Sequence, residues 1–348
     1  MPGTTGDALL AYLTIYGIDG IYSASDSALR ERIQKSWSEF AVCSIPEPIE
    51  LDLYPCEKNA PGFFSGILPV KKTKTLNVLY VYENSPETSA WIAAHDEGRK
   101  KADEYFNGKV SSRFAENVSS ERFESVIREE TEKVADVVFA ASSELLPACL
   151  KAAAEYPDVK FLNCSAYSFH PTIRSYSGRM YEVKFLEGLI AGTMTHTHKI
   201  GYIADYPIYG EPAAINAFAK GAAMTDPYVE IILRWHSQRD GDPLNEIVSC
   251  GADLTASHDG LYTICDGKYE RICGSKINWG EFYIRILSEI FDRTWKNSDK
   301  ENPKAVNYWW GLSAGVFDVD YTSKIPPDTL RLVSILYDDV ISGRVAFF

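Results

Sequence analysis

Six histidines and seven cysteines are the side chains best suited to nucleophilic, acid–base or metal chemistry in this chain, and their spacing serves none of these well. Cys43, Cys56, Cys149, Cys164, Cys250, Cys265 and Cys273 are odd in number and hold no C-x-x-C pair. That pattern predicts reduced, mostly buried thiols and offers no structural zinc cluster. His196 and His198 stand two apart in THTHK, which reads as a solvated connector. His95-Asp96 falls inside a helical stretch, where such a pair either does acid–base work or makes an inter-helix contact. His258-Asp259 follows a strand end, where a site role and a plain structural role are equally expected. No nucleophile has a base beside it, and neither H-E-x-x-H nor G-x-S-x-G occurs. The phosphate cradles G-x-x-x-x-G-K-[ST] and G-x-G-x-x-G are also missing; the first loop carries Glu83, Asn84, Ser85 and Pro86 instead. The chemistry on offer is recognition rather than catalysis, with no cofactor called for.

The composition agrees. The chain has 348 residues, 45% apolar and 24% charged, with 35 basic against 48 acidic residues and a formal charge of −13. Such acidity argues against a nucleic-acid groove or an anionic membrane surface as partner. No run of 18 apolar residues exists to span a bilayer. The start, Met-Pro-Gly-Thr-Thr-Gly, has no basic n-region and no lipobox cysteine. The address is therefore cytoplasmic, or extracytoplasmic and membrane-associated if an upstream export signal has been removed. Aromatics are abundant, with 21 Tyr, 16 Phe and 7 Trp, enough for some to line a site.

The elements that would position a site begin near residue 76. Before it, residues 1–75 read as an appendage and linker. Leu29, Ile33, Trp37 and Phe40 form one stripe of an amphipathic helix, and the Pro-rich stretch 44–70 reads as an irregular connector. Strands are expected at 76–82, about 110–114, 135–142 and 160–166, alternating with helices at about 90–106, 121–133 and 145–156. The rhythm restarts at 199–205, with a helix at about 212–224, a strand at 229–235, a helix near 243–250 and strands at 251–257 and 260–266. This is an α/β chain with two Rossmann-like lobes built on parallel sheets. Ligands of such sheets bind at the carboxyl ends of the strands, so the loops after Tyr82, Ala141, Ser165, Asp205, Trp235, Ser257 and Cys265 outline the site.

Several segments resemble one family in order along the chain. GRMYEVKFLEGLIAG (178–192), KIGYIADYPI (199–208), INAFAKGA (215–222), GADLTASHD (251–259), NWGEFY (278–283) and YWWGLSAGVFD (308–318) look like the basic membrane protein family. Its members are ABC-transporter substrate-binding proteins that include purine nucleoside receptors. WIAAHDEGRK (91–100) and YPDVKF (156–161) fit the same pattern, and the resemblance covers about 76–348. It implies a type I periplasmic-binding-protein fold: two α/β lobes, three hinge crossovers and a ligand held between the lobes. The implied crossovers fall near 196–199, 270–276 and 303–307. The first lobe is then 76–196 with about 271–303 returning to it, and the second is 197–270 with about 304–348 returning. The implied ligand is a purine nucleoside or base, and an ABC permease is the implied protein partner. A flat base wants aromatic faces, with stacking worth roughly 1–3 kcal/mol; a ribose wants carboxylates and amides.

Carried over by position, Trp91 is the residue expected to stack on the base, with Trp235 as a possible opposite wall. Asn84 stands in the first loop, which lacks the family's acidic and glycine residues. Ser142 and Ser143 occupy the loop after the third strand. Arg179 and Glu182 form an ion pair that either meets the ligand or supports structure. Tyr206 and Asn216 belong to the second-lobe entrance, His258 and Asp259 to a site loop, Asp266 to the ribose, and Lys276 to the third crossing. Trp279, Tyr308, Trp309 and Trp310 are expected to pack the core or hinge. The function implied is solute capture for ABC-type uptake; the alternative is a cytoplasmic ligand-sensing regulator of the same fold.

Overall fold

A computed structural model of the chain describes residues 49–52, 75–131, 135–165, 170–205, 211–236, 241–265, 267–295, 305–342 and 344. The predicted amphipathic stripe Leu29–Phe40 lies outside them. So do Cys43 and Cys56.

Two sheets organise the described residues. The first runs in the order β1 (Ile49–Asp52), β12 (Ala305–Trp310), β6 (Arg174–Gly178), β5 (Lys160–Cys164), β4 (Val137–Ala140), β2 (Leu76–Val81) and β3 (Val110–Ala115). All its pairings are parallel. The second runs β13 (Phe317–Tyr321), β11 (Lys268–Ile277), β10 (Gly260–Cys265), β9 (Leu254–Ser257), β7 (Lys199–Ala204) and β8 (Glu230–Trp235). Only β7, β8 and β9 pair in parallel there; β10, β11 and β13 add antiparallel strands. Two such sheets with helices on their faces make the two-lobed α/β fold expected.

Parallel strands buried on both faces explain the apolar runs. In β2, Val78 and Tyr80 face one core while Leu79 and Val81 face another. The first core lies under α1 (Ala90–Phe106) and α7 (Trp279–Phe291), which pack on each other. The second lies under α2 (Ser120–Thr131) and α3 (Leu146–Glu155). In the second lobe, α4 (Met180–Met194) packs face to face with α5 (Glu211–Thr225), flanked by α8 (Pro327–Ile341), while α6 (Pro243–Ser249) covers β7 and β8.

The chain changes sheet at β6–β7, β11–β12 and β12–β13, three crossings in all. Their positions differ from those expected. The first comes at 178–180, not 196–199, because α4 is apolar on nearly every side and finds its burial against α5, α8, β10, β11 and β13. The second comes at 277–279, since β11 stays with the second sheet through Ile277. The third comes at 311–316, since β12 pairs with β6 in the first sheet before β13 returns. Residues 180–194 thus sit with the second lobe, and 305–310 with the first. Ile49–Asp52 also departs from the irregular connector expected, pairing as an edge strand on β12. His196 and His198 are not an interlobe connector: the His198 Nδ1 meets Asp226 Oδ2 at 2.7 Å at the foot of α5, within the second lobe.

Candidate functional site

The carboxyl ends of the first sheet present a short set of polar groups around one tryptophan. Ser85 turns the chain after β2, its carbonyl accepting from the N–H groups of Thr88 and Ser89 at 3.1 Å each. Ser89 then caps α1, its hydroxyl accepting from the Ile92 N–H at 3.4 Å. This fixes Trp91 in the first turn. Its Nε1 donates to the Ala141 carbonyl at 3.1 Å, pinning it to the end of β4. The ring meets His95 and Trp279 edge to face, with centroids at 5.0 and 5.6 Å, and stays 36% exposed. Asn84 and Ser143 are exposed beside it. Ser142 is buried and already engaged: its hydroxyl accepts from the Glu144 N–H at 3.1 Å and its carbonyl from Asn163 Nδ2 at 2.8 Å. Glu83 has a buried Oε2 without a partner, and burial, with Glu144 nearby, raises its pKa.

The second sheet offers a carboxylate-rich counterpart. Asp205 ends β7, with His258 Nδ1 3.7 Å from its Oδ2. Asp259, in the β9–β10 turn, accepts from the Ser257 hydroxyl and from Tyr262 at 2.7 Å. Burial pushes Asp259 up, but those hydrogen bonds and His258 outweigh it, and the net direction is down. Beneath this turn lies a buried ion pair: Lys184 Nζ donates to Glu187 Oε2 at 2.7 Å and to the Ser257 carbonyl at 2.6 Å. Glu187 also accepts from Ser275 at 2.9 Å. Glu211, the first residue of α5, has a buried Oε1 without a partner, as has the Tyr202 hydroxyl. Burial lifts the Glu211 carboxyl to about 7, with Lys184 opposing and Asp205 adding to the rise.

The predicted residues sort by place. Asn84, Trp91, Ser142 and Ser143 come together at the first sheet's carboxyl edge, and His258 and Asp259 come to the second's. Trp235 ends β8 half-buried against the core, and Asn216 is half-buried on α5. Tyr206 and Asp266 lie outside the described residues. Arg179 and Glu182 are spent on the hinge. Glu182 pairs with Arg179 Nε at 3.1 Å and accepts from the Leu312 N–H at 2.8 Å, while Arg179 reaches Ser313 at 3.0 Å. They tie the first crossing to the third. Lys276 is exposed on β11, on the face opposite Ser275 and so away from Glu187. His95 is buried, stacked on Trp279 at 4.7 Å, with Nδ1 2.6 Å from the Tyr283 hydroxyl; it serves the contact of α1 with α7. Asp205, Lys184, Glu187, Tyr202 and Glu211 were missed. A signal existed for two of them: Lys184 and Glu187 are charges three apart in YEVKFLEGLIAG, whose only other charge is Glu182.

Two lobes, three crossings and polar groups gathered where parallel strands end make a two-lobed α/β fold with a candidate binding site between its sheets. Residues 76–244 match the family described as ABC transporter substrate-binding protein, PnrA-like. The family is one of binding proteins rather than enzymes. A purine-binding protein of Brucella abortus (strain 2308) is 24% identical over 309 residues, 82% of this chain and 86% of that protein. A Haloferax volcanii protein named for glucose binding in ABC transport is 27% identical over 267 residues, 70% of this chain and 66% of that one. The solved solute-binding protein of an ABC transporter system from Conexibacter woesei DSM 14684 superposes with a TM-score of 0.60 at 16% identity, covering 78% of this chain and 99% of its own. No helix among the described residues is long and apolar enough to cross a membrane.

Proposed function

We propose that this chain captures a purine nucleoside or a related purine between its lobes and delivers it to an ABC permease. The observation that carries the reading is Trp91: an indole anchored by its N–H to the end of β4, in T-shaped contact with His95 and Trp279, and still 36% exposed beside the strand ends. Such a ring offers a rigid face to a flat heterocycle. The carboxylates Asp205 and Asp259 on the facing sheet are acceptors suited to sugar hydroxyls. The purine-binding name of the Brucella relative supports the base, and the glucose-binding name of the Haloferax relative is compatible with a hydroxyl-reading side.

Isothermal titration with adenosine, guanosine, inosine and the free bases tests the reading. Saturable heat from at least one purine is expected, and Trp91→Ala should weaken it more than tenfold, in line with about 1–3 kcal/mol for a stacked base. Folded protein that gives no heat with any purine, or an unchanged affinity in the variant, counts against it.

A further inference from the structure

Glu211 is half-buried, with one carboxyl oxygen enclosed and without a partner. It opens α5, the helix that follows β7, and so belongs to the carboxyl-end side of the second sheet. Its Oε1 is enclosed and has no hydrogen-bond partner. The Tyr202 hydroxyl, on a fully buried side chain in β7, is likewise without one. A buried polar atom left unpaired costs roughly 1–3 kcal/mol, so two in one place mark a position completed by something else. The charged groups around them are known element by element. From α4 come Lys184 and Glu187, paired with each other; from the end of β7 comes Asp205. Lys184 and the amino end of α5 favour an ionised Glu211. Asp205 and burial oppose it, and burial is the largest influence. Asp259 stands behind Lys184 and Glu187, and His258 beside Asp205.

Ligand capture removes more water from this place, which makes a second bare carboxylate beside Asp205 harder still to keep. A neutral carboxyl, by contrast, sets an O–H donor next to a C=O acceptor. That is the complement of the donor–acceptor edge of a purine, where ring N–H meets C=O or ring N meets an amino group. We propose that Glu211 is a purine contact that enters the closed cleft protonated, so that ligand binding takes up a proton. The inference rests on the purine reading above and adds a specificity-determining residue and a pH dependence to it.

Titration of the intact chain with inosine and with adenosine at pH 6, 7 and 8 provides the test, each at pH 7 in phosphate and in Tris. Uptake of about half a proton at pH 7 is expected, with affinity about tenfold weaker at pH 8 than at pH 6, the ratio for a group that titrates near 7 when free and is held protonated in the complex. Glu211→Gln, neutral at every pH, should bind at pH 8 as tightly as at pH 6 and take up no proton. Its thermal midpoint shows that it is folded. Proton release on binding, a wild-type affinity flat from pH 6 to 8, or a pH dependence that survives in Glu211→Gln would overturn the assignment while leaving purine capture intact. Heat from neither nucleoside at any pH would overturn both.

Discussion

At the scale of single residues, what distinguishes the site from the core is what each side chain has left over. Ser142 has its hydroxyl and carbonyl committed to the backbone around it. Arg179 and Glu182 satisfy each other across the hinge. Trp91 has its N–H committed and a face remaining. His95 shows the opposite condition, a titratable group made inert by burial. Its Nε2 has no partner, and burial lowers its pKa to about 3 from an ordinary value of 6.5. The unfolded chain therefore binds the proton first. The contribution of neutral His95 is complete above pH 6.5 and drains away as pH falls toward 3. Glu211 acts in the other direction: raised to about 7, it favours the folded state as pH falls from about 7 toward 4.5. The two oppose each other in the wild type, so the comparison with a variant is the informative one. Against His95→Gln, the wild type should lose about 2 kcal/mol of stability between pH 6.5 and pH 5, read from urea midpoints. Parallel pH profiles would contradict the burial of a neutral imidazole.

At the scale of elements, α4 is the piece that joins hinge to cleft. Its first turn carries Glu182, which holds the Leu312 N–H of the third crossing. The next residue but one, Lys184, holds the Ser257 carbonyl of the β9–β10 turn. One helix thus links the third crossing to the β9–β10 turn of the candidate site. The helix can lie there because glycines let it approach α5. A Cβ on Gly188 would collide with the Phe218 carbonyl, and one on Gly221 with the Phe185 carbonyl; in both the obstacle is backbone, which cannot rotate aside. Gly188→Ala should therefore cost about 3 kcal/mol, at the upper end of ordinary overpacking, and lower the thermal midpoint by several degrees. An unchanged midpoint would mean that α4 and α5 are not so tightly seated. Much of this level was legible in the sequence. Most strands and helices from 76 to 265 were expected from their short apolar runs and helical stripes, but β6 and α4 were not among the elements expected. The hinge positions were not legible. The run at 180–194 is apolar all round, and periodicity alone does not say which lobe will bury it. Likewise YWW at 308–310 has no alternation to separate an edge from a core strand, and it is the pairing of β12 with β6 that places it in the first sheet.

At the scale of the whole molecule, the acidic balance, the aromatic content and the two sheets are all compatible with the proposed capture of a small neutral solute. The formal charge of −13 suits solubility rather than a charged partner. The fold and the resemblance to the family were legible because ordered segments spread over many residues carry them. Of the candidate site, Trp91 on the first sheet and His258 and Asp259 on the second were named from type and position, whereas Lys184, Glu187, Tyr202 and Glu211 come from three separate elements whose meeting depends on the packing of α4 and α5 on β7. The most direct test of the central claim is mass spectrometry of the small molecules released when the purified chain is unfolded. A purine nucleoside or base released in near-stoichiometric amount is the expected result. A stoichiometric ligand with no purine ring, such as a free sugar, would contradict it.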